Sequence, residues 1–233
     1  MRVRVVGSGR AGGALALALH RAGWTVEAPL GRDDDLSASA HGVELLVLAT
    51  PDPVIAEVAA AVEPDPDTVV AHLAGALGLA VLAGHPRTAA LHPLVALPDP
   101  AIGATRLADG AWFAVAGDPL VEQVVADLGG HAFAVADEDR TRYHAAAVIA
   151  SNHLVALLGQ VERVAPEGVP LEAFLALVRG TVDNVADLGP AAALTGPVAR
   201  GDWATVDAHL AALSEDERPA YQAMVDQARR LLD

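Results

Sequence analysis

The chain has 233 residues, of which 53% are hydrophobic and only 3% aromatic, and its formal net charge is −15. This length suits one large domain or two modest ones. The acidic balance, with no basic run longer than Arg229-Arg230, argues against a nucleic-acid-binding surface or an anionic membrane as partner. The chain has no cysteine, and all 15 of its basic residues are arginine. Disulfides, thiolate nucleophiles and lysine Schiff bases are therefore excluded.

No membrane-spanning or secretory segment is predicted. The first strand begins at once, so there is no charged and apolar leader. The longest apolar stretch, 145–158, is interrupted at Ser151-Asn152-His153 and falls short of the roughly 20 apolar residues that a span requires. We therefore expect a soluble cytoplasmic protein.

Residues 3–13 form a short apolar strand, a glycine-rich turn and the start of a helix. In such a turn Gly7 would permit the tight bend, Gly9 would let a pyrophosphate approach the backbone, and Gly12 would let the helix pack closely on the strand. The free N–H groups at the helix start would face the phosphates. The order strand, G-x-G-x-x-G and helix predicts a dinucleotide site, the alternative being a turn that serves packing alone.

The loop after the second predicted strand, 25–30, is where such proteins select their cofactor. An arginine there suits the 2′-phosphate of NADP, whereas a carboxylate suits the 2′-hydroxyl of NAD. Arg32 is followed by three aspartates, 33–35. We interpret Arg32 as favouring NADP, although the aspartates could face a ribose and the loop could be an ordinary polar turn.

Three further strands are predicted to end at the same edge of the sheet. The run 43–49 ends in Thr50-Pro51, and strands 68–75 and 89–94 carry His72 and His92 near their carboxyl ends. Ligands gather at that edge of an open α/β sheet. Histidine can exchange a proton near pH 7, but a histidine at a strand end can also be purely structural.

The alternation of strands and helices continues through strands 110–118 and 131–135 and then stops. It predicts a doubly wound parallel sheet of the Rossmann type over residues 1–136. Residues 137–233 are predicted to form a smaller, all-helical domain, with helices at 137–164 and 171–188. Asp137, Asp202 and the Ser214-x-x-Glu217 capping box mark helix starts.

A polar strip is predicted on the first helix of this second domain. His144, Val148 and Asn152 recur at i, i+4 and i+8, with Ser151 beside them. The strip could form the wall of a substrate site facing a nicotinamide. Alternatively, it could form hydrogen bonds with polar residues of the next helix, namely Thr181, Asp183 and Asn184.

Several phrases in this order resemble one protein family. They are 49–52 (ATPD), 72–78 (HLAGALG), 91–94 (LHPL), 143–152 (YHAAAVIASN) and 194–202 (LTGPVARGD). The chain resembles oxidoreductases built like 6-phosphogluconate dehydrogenase, and within them Rossmann-like proteins whose C-terminal part is a domain of unknown function. The resemblance implies a nicotinamide-binding domain followed by a helical domain that forms a homodimer.

The resemblance also implies a chemistry. Some relatives look like an alternative class of ketopantoate reductase, which would reduce a small 2-oxo acid with NADPH. Related enzymes place a lysine four residues before an asparagine; here Asn152 matches the asparagine, but Val148 stands at the lysine position. His144 is then the first candidate proton donor. His92, which resembles the His-Pro histidine of prephenate dehydrogenases, is the second.

The predicted site therefore has three parts. The catalytic residues are His144, Asn152 and His92, and no metal is expected. The substrate residues are Ser151, Asn184, Thr195 and Arg200, the last suited to holding a carboxylate. The NADP-binding residues are Gly7, Ser8, Gly9, Arg10, Ala11, Gly12, Arg32, Thr50, Pro51 and His72.

Two alternatives to the 2-oxo acid reductase stay open. Imine reduction resembling that of pyrroline-5-carboxylate reductase would need no lysine, because a protonated imine already carries its proton. A sensor or scaffold that binds NADP without turnover would also account for the missing lysine.

Overall fold

The computed structural model describes residues 1–232, which divide into two compact units between Ser151 and Asn152. The first unit contains the sheet, and the second is helical. The domain boundary predicted at residues 136 and 137 stays a prediction.

The first unit is built on a seven-stranded sheet. Its strands are β1 (Arg2–Val6), β2 (Thr25–Val26), β3 (Leu45–Leu48), β4 (Val69–His72), β5 (Thr88–Pro93), β6 (Trp112–Gly117) and β7 (His131–Ala134). Their order in the sheet is β2-β1-β3-β4-β5-β6-β7. Since β2 and β3 flank β1 on opposite sides, the chain reverses its direction of travel at β1. That reversal creates the crevice at which α/β sheets of this type bind ligands.

The sheet is mostly parallel, as predicted, with one antiparallel pair. Strand β6 runs antiparallel to β5, and the Leu94 N–H donates to the Trp112 carbonyl at 2.8 Å, where β5 ends and β6 begins. The connection between them contains only the eight-residue helix 100–107. It returns the chain to the carboxyl edge of the sheet, so β6 starts there and must run the other way.

Helices cover both faces of the sheet. The helices of this unit are α1 (Arg10–Arg21), α2 (Ile55–Ala60), α3 (Pro100–Leu107), α4 (Leu120–Asp127) and α5 (Arg140–Val148). Helices α1, α3 and α4 pack on one face, and α2 packs on the other. At the end of α1 the buried Trp24 indole donates a hydrogen bond to Asp127 at the end of α4, at 2.8 Å.

The second unit contains six helices among the described residues. They are α6 (Leu154–Val164), α7 (Leu171–Leu188), α8 (Pro190–Ala193), α9 (Gly196–Ala199), α10 (Trp203–Ala212) and α11 (Arg218–Arg229). Helix α7 and the Asp202 cap of α10 agree with the sequence prediction, since the Asp202 carboxylate accepts from the Thr205 N–H. The predicted capping box is wrong. Glu217 is the N-cap of α11 but forms no capping bond, and its carboxylate pairs with Arg163 instead.

The helix predicted from Asp137 to Val164 is present as a composite run. It begins with a 3₁₀ turn at Asp137–Asp139, continues as α5, passes through the π-helical segment Ile149–His153, and ends as α6. The prediction that Asp137 caps this helix is wrong, because its carboxylate accepts from the Leu79 N–H at 2.9 Å. The i, i+4, i+8 spacing proposed for the polar strip requires an unbroken α-helix, and the π-helical segment interrupts it.

This run is the one helix among the described residues that is long and apolar enough, by length and composition only, to cross a membrane. It spans 28 residues with a mean hydropathy of 1.3 over its most apolar window. A single such helix is weak evidence for a membrane span. The expectation of a cytoplasmic protein stays a prediction.

Candidate nucleotide site and polar cluster

The glycine-rich turn has three glycines in three different environments. Gly7 adopts a positive φ of 98°, which side chains rarely allow. A Cβ on Gly12 would lie 2.0 Å from the Gly7 carbonyl oxygen, so this glycine lets α1 pack against β1. A Cβ on Gly9 would meet nothing within 4 Å. The space beside Gly9, at the start of α1, can therefore admit a pyrophosphate.

The end of β3 lies directly against this turn. A Cβ on Gly7 would lie 2.8 Å from the Ala49 carbonyl oxygen. The next residue, Thr50, has a buried hydroxyl that forms no hydrogen bond within the described residues, and Pro51 after it is exposed. The structure thus brings the predicted residues of both strand ends to one edge of the sheet, where Ser8 and Arg10 are exposed and Ala11 is half-buried.

The loop that follows β2 leaves Arg32 exposed beside the crevice. Residue Leu30 bridges to Val6 at the end of β1, which places the loop next to the glycine turn. Two of the three aspartates serve the loop itself: Asp34 accepts from the Gly31 N–H at 2.7 Å, and Asp35 accepts from the Ser37 N–H at 2.9 Å. These bonds leave Arg32 and Asp33 as the charged residues that can face a ribose.

His72 organises the loop after β4. Its ring is fully buried; Nδ1 accepts from the Ala74 N–H at 3.2 Å, and Nε2 lies 3.3 Å from the Gly78 carbonyl oxygen. Burial lowers the pKa of His72, so the ring is neutral. With both ring nitrogens bonded to backbone, the structural interpretation of His72 is favoured over contact with a cofactor.

His92, predicted as a catalytic residue, pairs with a tyrosine. It lies on β5, the neighbour of β4, and its Nδ1 is 2.7 Å from the hydroxyl of Tyr143 on α5. Burial first, and then the nearby His144 and Arg140, lower the pKa of His92 to about 4. Burial raises the pKa of Tyr143 to about 12. The pair is therefore a neutral imidazole and a protonated phenol over the physiological pH range.

His144 completes a three-residue cluster with this pair. The His92 and His144 rings stand edge to face with centroids 5.9 Å apart. A Cβ on Gly75 would lie 2.5 Å from the His144 ring and 2.9 Å from Nε2 of His92. Glycine at this position thus allows both rings to approach the backbone at the carboxyl end of β4. We call His92, Tyr143 and His144 the polar cluster.

Arg140 lies one helical turn before this cluster and is fully buried. None of its three guanidinium nitrogens has a hydrogen-bond partner within the described residues. The nearest carboxylate oxygen, on Asp137, is 3.6 Å from Nε. Burial lowers the pKa of Arg140, and Asp137 opposes that effect.

The remaining predicted site residues are exposed. Ser151 donates to the Ala147 carbonyl at 2.8 Å. The others belong to the second unit, where each is exposed: Asn152, Asn184, Thr195 and Arg200. Their roles in substrate binding stay predictions.

Two site residues, Tyr143 and Arg140, were missed by sequence reasoning. Tyr143 carried a signal, because it is one of only two tyrosines and stands next to His144. Nothing in the sequence indicated the burial of Arg140, since an arginine in the first turn of a helix is normally solvated. No group of three or more histidine, aspartate or glutamate residues in positions 1–232 is arranged to hold a metal ion.

Residues 113–228 match the family model of a domain of unknown function, DUF2520. The DUF2520 region begins in β6 and ends in α11, so it contains Tyr143, His144 and Arg140 but neither His92 nor the glycine turn. No curated protein matches the chain at a significant level.

Three solved structures with the same architecture come from proteins with a described or proposed redox activity. A Bacteroides fragilis protein, whose proposed activity is that of an NADP oxidoreductase, has a TM-score of 0.81 at 18% identity, with 98% of each chain covered. A reductive aminase from Aspergillus terreus, in complex with NADPH and ethyl levulinate, has a TM-score of 0.72 at 18% identity and covers 98% and 93% of the two chains. Pyrroline carboxylate reductase from Plasmodium falciparum, with NADP bound, has a TM-score of 0.64 at 12% identity and covers 100% and 98%. These likenesses establish a Rossmann fold followed by a helical C-terminal part.

Proposed function

We propose that the chain is an NADP-dependent oxidoreductase that reduces a small 2-oxo acid, with ketopantoate as one candidate. The observation that carries this proposal is the juxtaposition at one sheet edge of an open glycine turn and the polar cluster. The turn provides space for a pyrophosphate beside Gly9, and the cluster provides the protonated Tyr143 phenol, which is hydrogen-bonded to His92 on β5. NADP-containing structures with the same fold support the choice of cofactor.

The residues fit a dinucleotide in two respects. The Gly9 space and the exposed start of α1 suit the pyrophosphate, and Arg32 suits a 2′-phosphate. When bound, the nicotinamide supplies a hydride. The chain's own residues then have to orient the substrate carbonyl and deliver one proton to its oxygen.

Proton delivery is assigned to the polar cluster. His92, with its pKa near 4, is neutral at pH 7 and holds the Tyr143 hydroxyl by a 2.7 Å hydrogen bond. The phenol retains its proton, so it can donate to an oxygen that gains negative charge. His144 beside it, the first candidate donor from the sequence, is proposed as the other donor. Asn152 and Ser151 are proposed to orient the substrate, and Asn184, Thr195 and Arg200 to bind it.

Arg32→Ala is the first test of the cofactor assignment. A charge-assisted contact to the 2′-phosphate contributes about 1.5–3 kcal/mol, so the variant should bind NADPH about 10- to 100-fold more weakly. NADH lacks that phosphate, and its affinity should stay within about threefold. Isothermal titration of both nucleotides measures this. Arg21→Ala, an exposed arginine at the far end of α1, is the matched control; equal losses for NADPH and NADH would contradict the assignment.

Imine reduction is the second candidate, favoured by the likeness to the reductive aminase and the pyrroline carboxylate reductase. A protonated imine brings its own proton, so a chain with no lysine could reduce it. NADPH consumption with ketopantoate and other short 2-oxo acids, compared with cyclic imines, separates the two reactions. Tight NADPH binding without turnover on either panel would favour the third candidate, a sensor or scaffold.

We also propose a homodimer formed through the helical unit. Neither α6 nor α7, of 11 and 18 residues, has a buried residue. Leu177 on α7 is 68% exposed, and Val155 on α6 is 70% exposed. An apolar helix face is normally buried against another element, and the matching face of a second copy of the chain would bury this one.

A further inference from the structure

The guanidinium of Arg140 is an enclosed charge that lacks hydrogen-bond partners. The side chain is fully buried, and none of its three nitrogens forms a hydrogen bond to another described residue. Enclosing a charge without such bonds is unfavourable by several kcal/mol, and natural proteins rarely leave it so. An arginine in this state can donate hydrogen bonds to an anion.

Asp137 supplies only part of the compensation. Its carboxylate oxygen is 3.6 Å from Nε of Arg140, beyond hydrogen-bonding distance, and the carboxylate already accepts from the Leu79 N–H. The Asp137 side chain is also 47% exposed, so solvent weakens its attraction for the guanidinium. The Arg140 nitrogens therefore remain without a hydrogen-bond partner among the described residues, and the fork geometry of a guanidinium suits a planar, two-oxygen partner.

Arg140 lies on the same helix as two residues of the polar cluster, Tyr143 and His144. Tyr143 follows it by three residues on α5, so both side chains lie on the same side of the helix. The positive charge of Arg140 is near enough to help keep His92 neutral. A ligand whose carboxylate pairs with Arg140 would extend along this side of α5 toward Tyr143.

We propose that Arg140 is a carboxylate-binding residue, and that the ligand is a small acid whose carboxylate pairs with the buried guanidinium while its neighbouring oxygen faces the Tyr143–His92 pair. This inference rests on the proposed reductase for the identity of the acid as a 2-oxo acid. It assigns the carboxylate to Arg140 in place of Arg200, which is exposed. A buried guanidinium binds a carboxylate more strongly than a solvated one, because water does not compete.

Oxamate and oxamide test the site without turnover. Both are small, neither is reduced, and they differ in that one carries a carboxylate where the other carries an amide. Isothermal titration with excess NADP⁺ present keeps the nucleotide site from binding the probe. Wild type should bind oxamate at least tenfold more tightly than oxamide, and Arg140→Gln should lose at least tenfold in oxamate affinity.

Arg142→Gln is the matched control. Arg142 lies two residues further along α5 but is 85% exposed and paired with Asp139 at 2.8 Å. Its oxamate affinity should stay within about twofold of wild type. A folded Arg140→Gln variant with wild-type oxamate affinity would overturn the proposal.

A second measurement removes dependence on the folding of that variant. In wild-type protein with ¹⁵N-labelled arginine, oxamate should shift one Nε–H resonance, and Arg140→Lys should lack that resonance. Absence of any shift at saturating oxamate would overturn the proposal. Oxamate binding through Arg140 without NADPH oxidation by any 2-oxo acid would contradict the proposed reductase but support the carboxylate site. Unchanged 2-oxo acid turnover by Arg140→Gln would support the reductase but overturn the carboxylate site.

Discussion

At the scale of single residues, the protonation states of His92 and Tyr143 follow from burial. His92 and Tyr143 are each held in their neutral form, one by a lowered pKa and the other by a raised pKa. The same cause acts on both, because burial penalises whichever form carries charge. A neutral, hydrogen-bonded pair can donate a proton without first acquiring one from solvent.

This burial predicts a pH dependence of stability. The unfolded chain protonates His92 near pH 6.5, whereas the folded chain does so only near pH 4. Between these values the unfolded state binds the additional proton, so the free energy of unfolding falls as pH falls through this range, by at most about 3 kcal/mol. Denaturant unfolding at pH 7.5 and pH 4.5 measures the loss.

His92→Gln should reduce that loss, since the variant has no imidazole to protonate at this position. Part of the dependence should remain, because burial also lowers the pKa of His72. His20→Gln, on the exposed side of α1, should leave the dependence unchanged. If His92→Gln and wild type lose stability equally, then His92 does not carry the effect.

The sequence was enough to predict which histidines lie at the candidate site, but not how the residues around them are buried and hydrogen-bonded. His92 and His144 were both expected near the reacting groups, and the fold brings their rings together. The hydrogen bond between Tyr143 and His92 could not be predicted, because it joins α5 to a strand 51 residues earlier. The burial of Arg140 could not be predicted either, because an arginine in the first turn of a helix is normally solvated. Glu217 illustrates the same limit: the pattern indicated a capping box, and Arg163 competes for its carboxylate.

At the scale of elements, β1, the glycine turn and α1 act together, and two glycines of the turn have different roles. Gly12 is required by packing, since a Cβ there would lie 2.0 Å from a carbonyl oxygen. Gly9 has open space around it. Gly12 therefore serves the fold, whereas Gly9 leaves space for a ligand.

Two alanine substitutions should separate these tasks. Gly12→Ala should lower the free energy of unfolding by about 2 kcal/mol or more, because backbone atoms must move to admit the methyl group. Gly9→Ala, at the N-cap of α1, should cost less than about 1 kcal/mol. It should nevertheless weaken NADPH binding at least tenfold, since the methyl group occupies the proposed pyrophosphate space.

Thermal unfolding and NADPH titration of both variants measure these effects. Each variant is the control for the other. The interpretation fails if Gly9→Ala binds NADPH as wild type does, or if Gly12→Ala leaves stability unchanged.

Element boundaries were predictable where local signals decide them. The 18-residue helix α7 lies at the residues expected from periodicity, with glycine and proline after it. The antiparallel strand β6 and the π-helical segment were not predictable, because the first depends on where α3 returns the chain and the second on hydrogen-bond register within a uniformly apolar helix.

At the scale of the whole molecule, the exposed apolar helices predict self-association. Wild type should sediment at micromolar concentration with twice the 23.8 kDa chain mass. Leu177→Glu should give the monomer, because a charge on the shared apolar face is costly to bury. Ile102→Glu, on α3 and 48% exposed, is the control and should remain dimeric. A wild-type monomer at these concentrations would contradict the proposal.

The hydrogen bond between Trp24 and Asp127 joins residues that are 103 positions apart. In kinetic terms, we expect such a contact to form late, since closing a loop of this length costs conformational entropy. Trp24 is buried, while Trp112 and Trp203 remain 53% and 43% exposed. In a variant that keeps Trp24 as its one tryptophan, we therefore expect the fluorescence change to come late in folding.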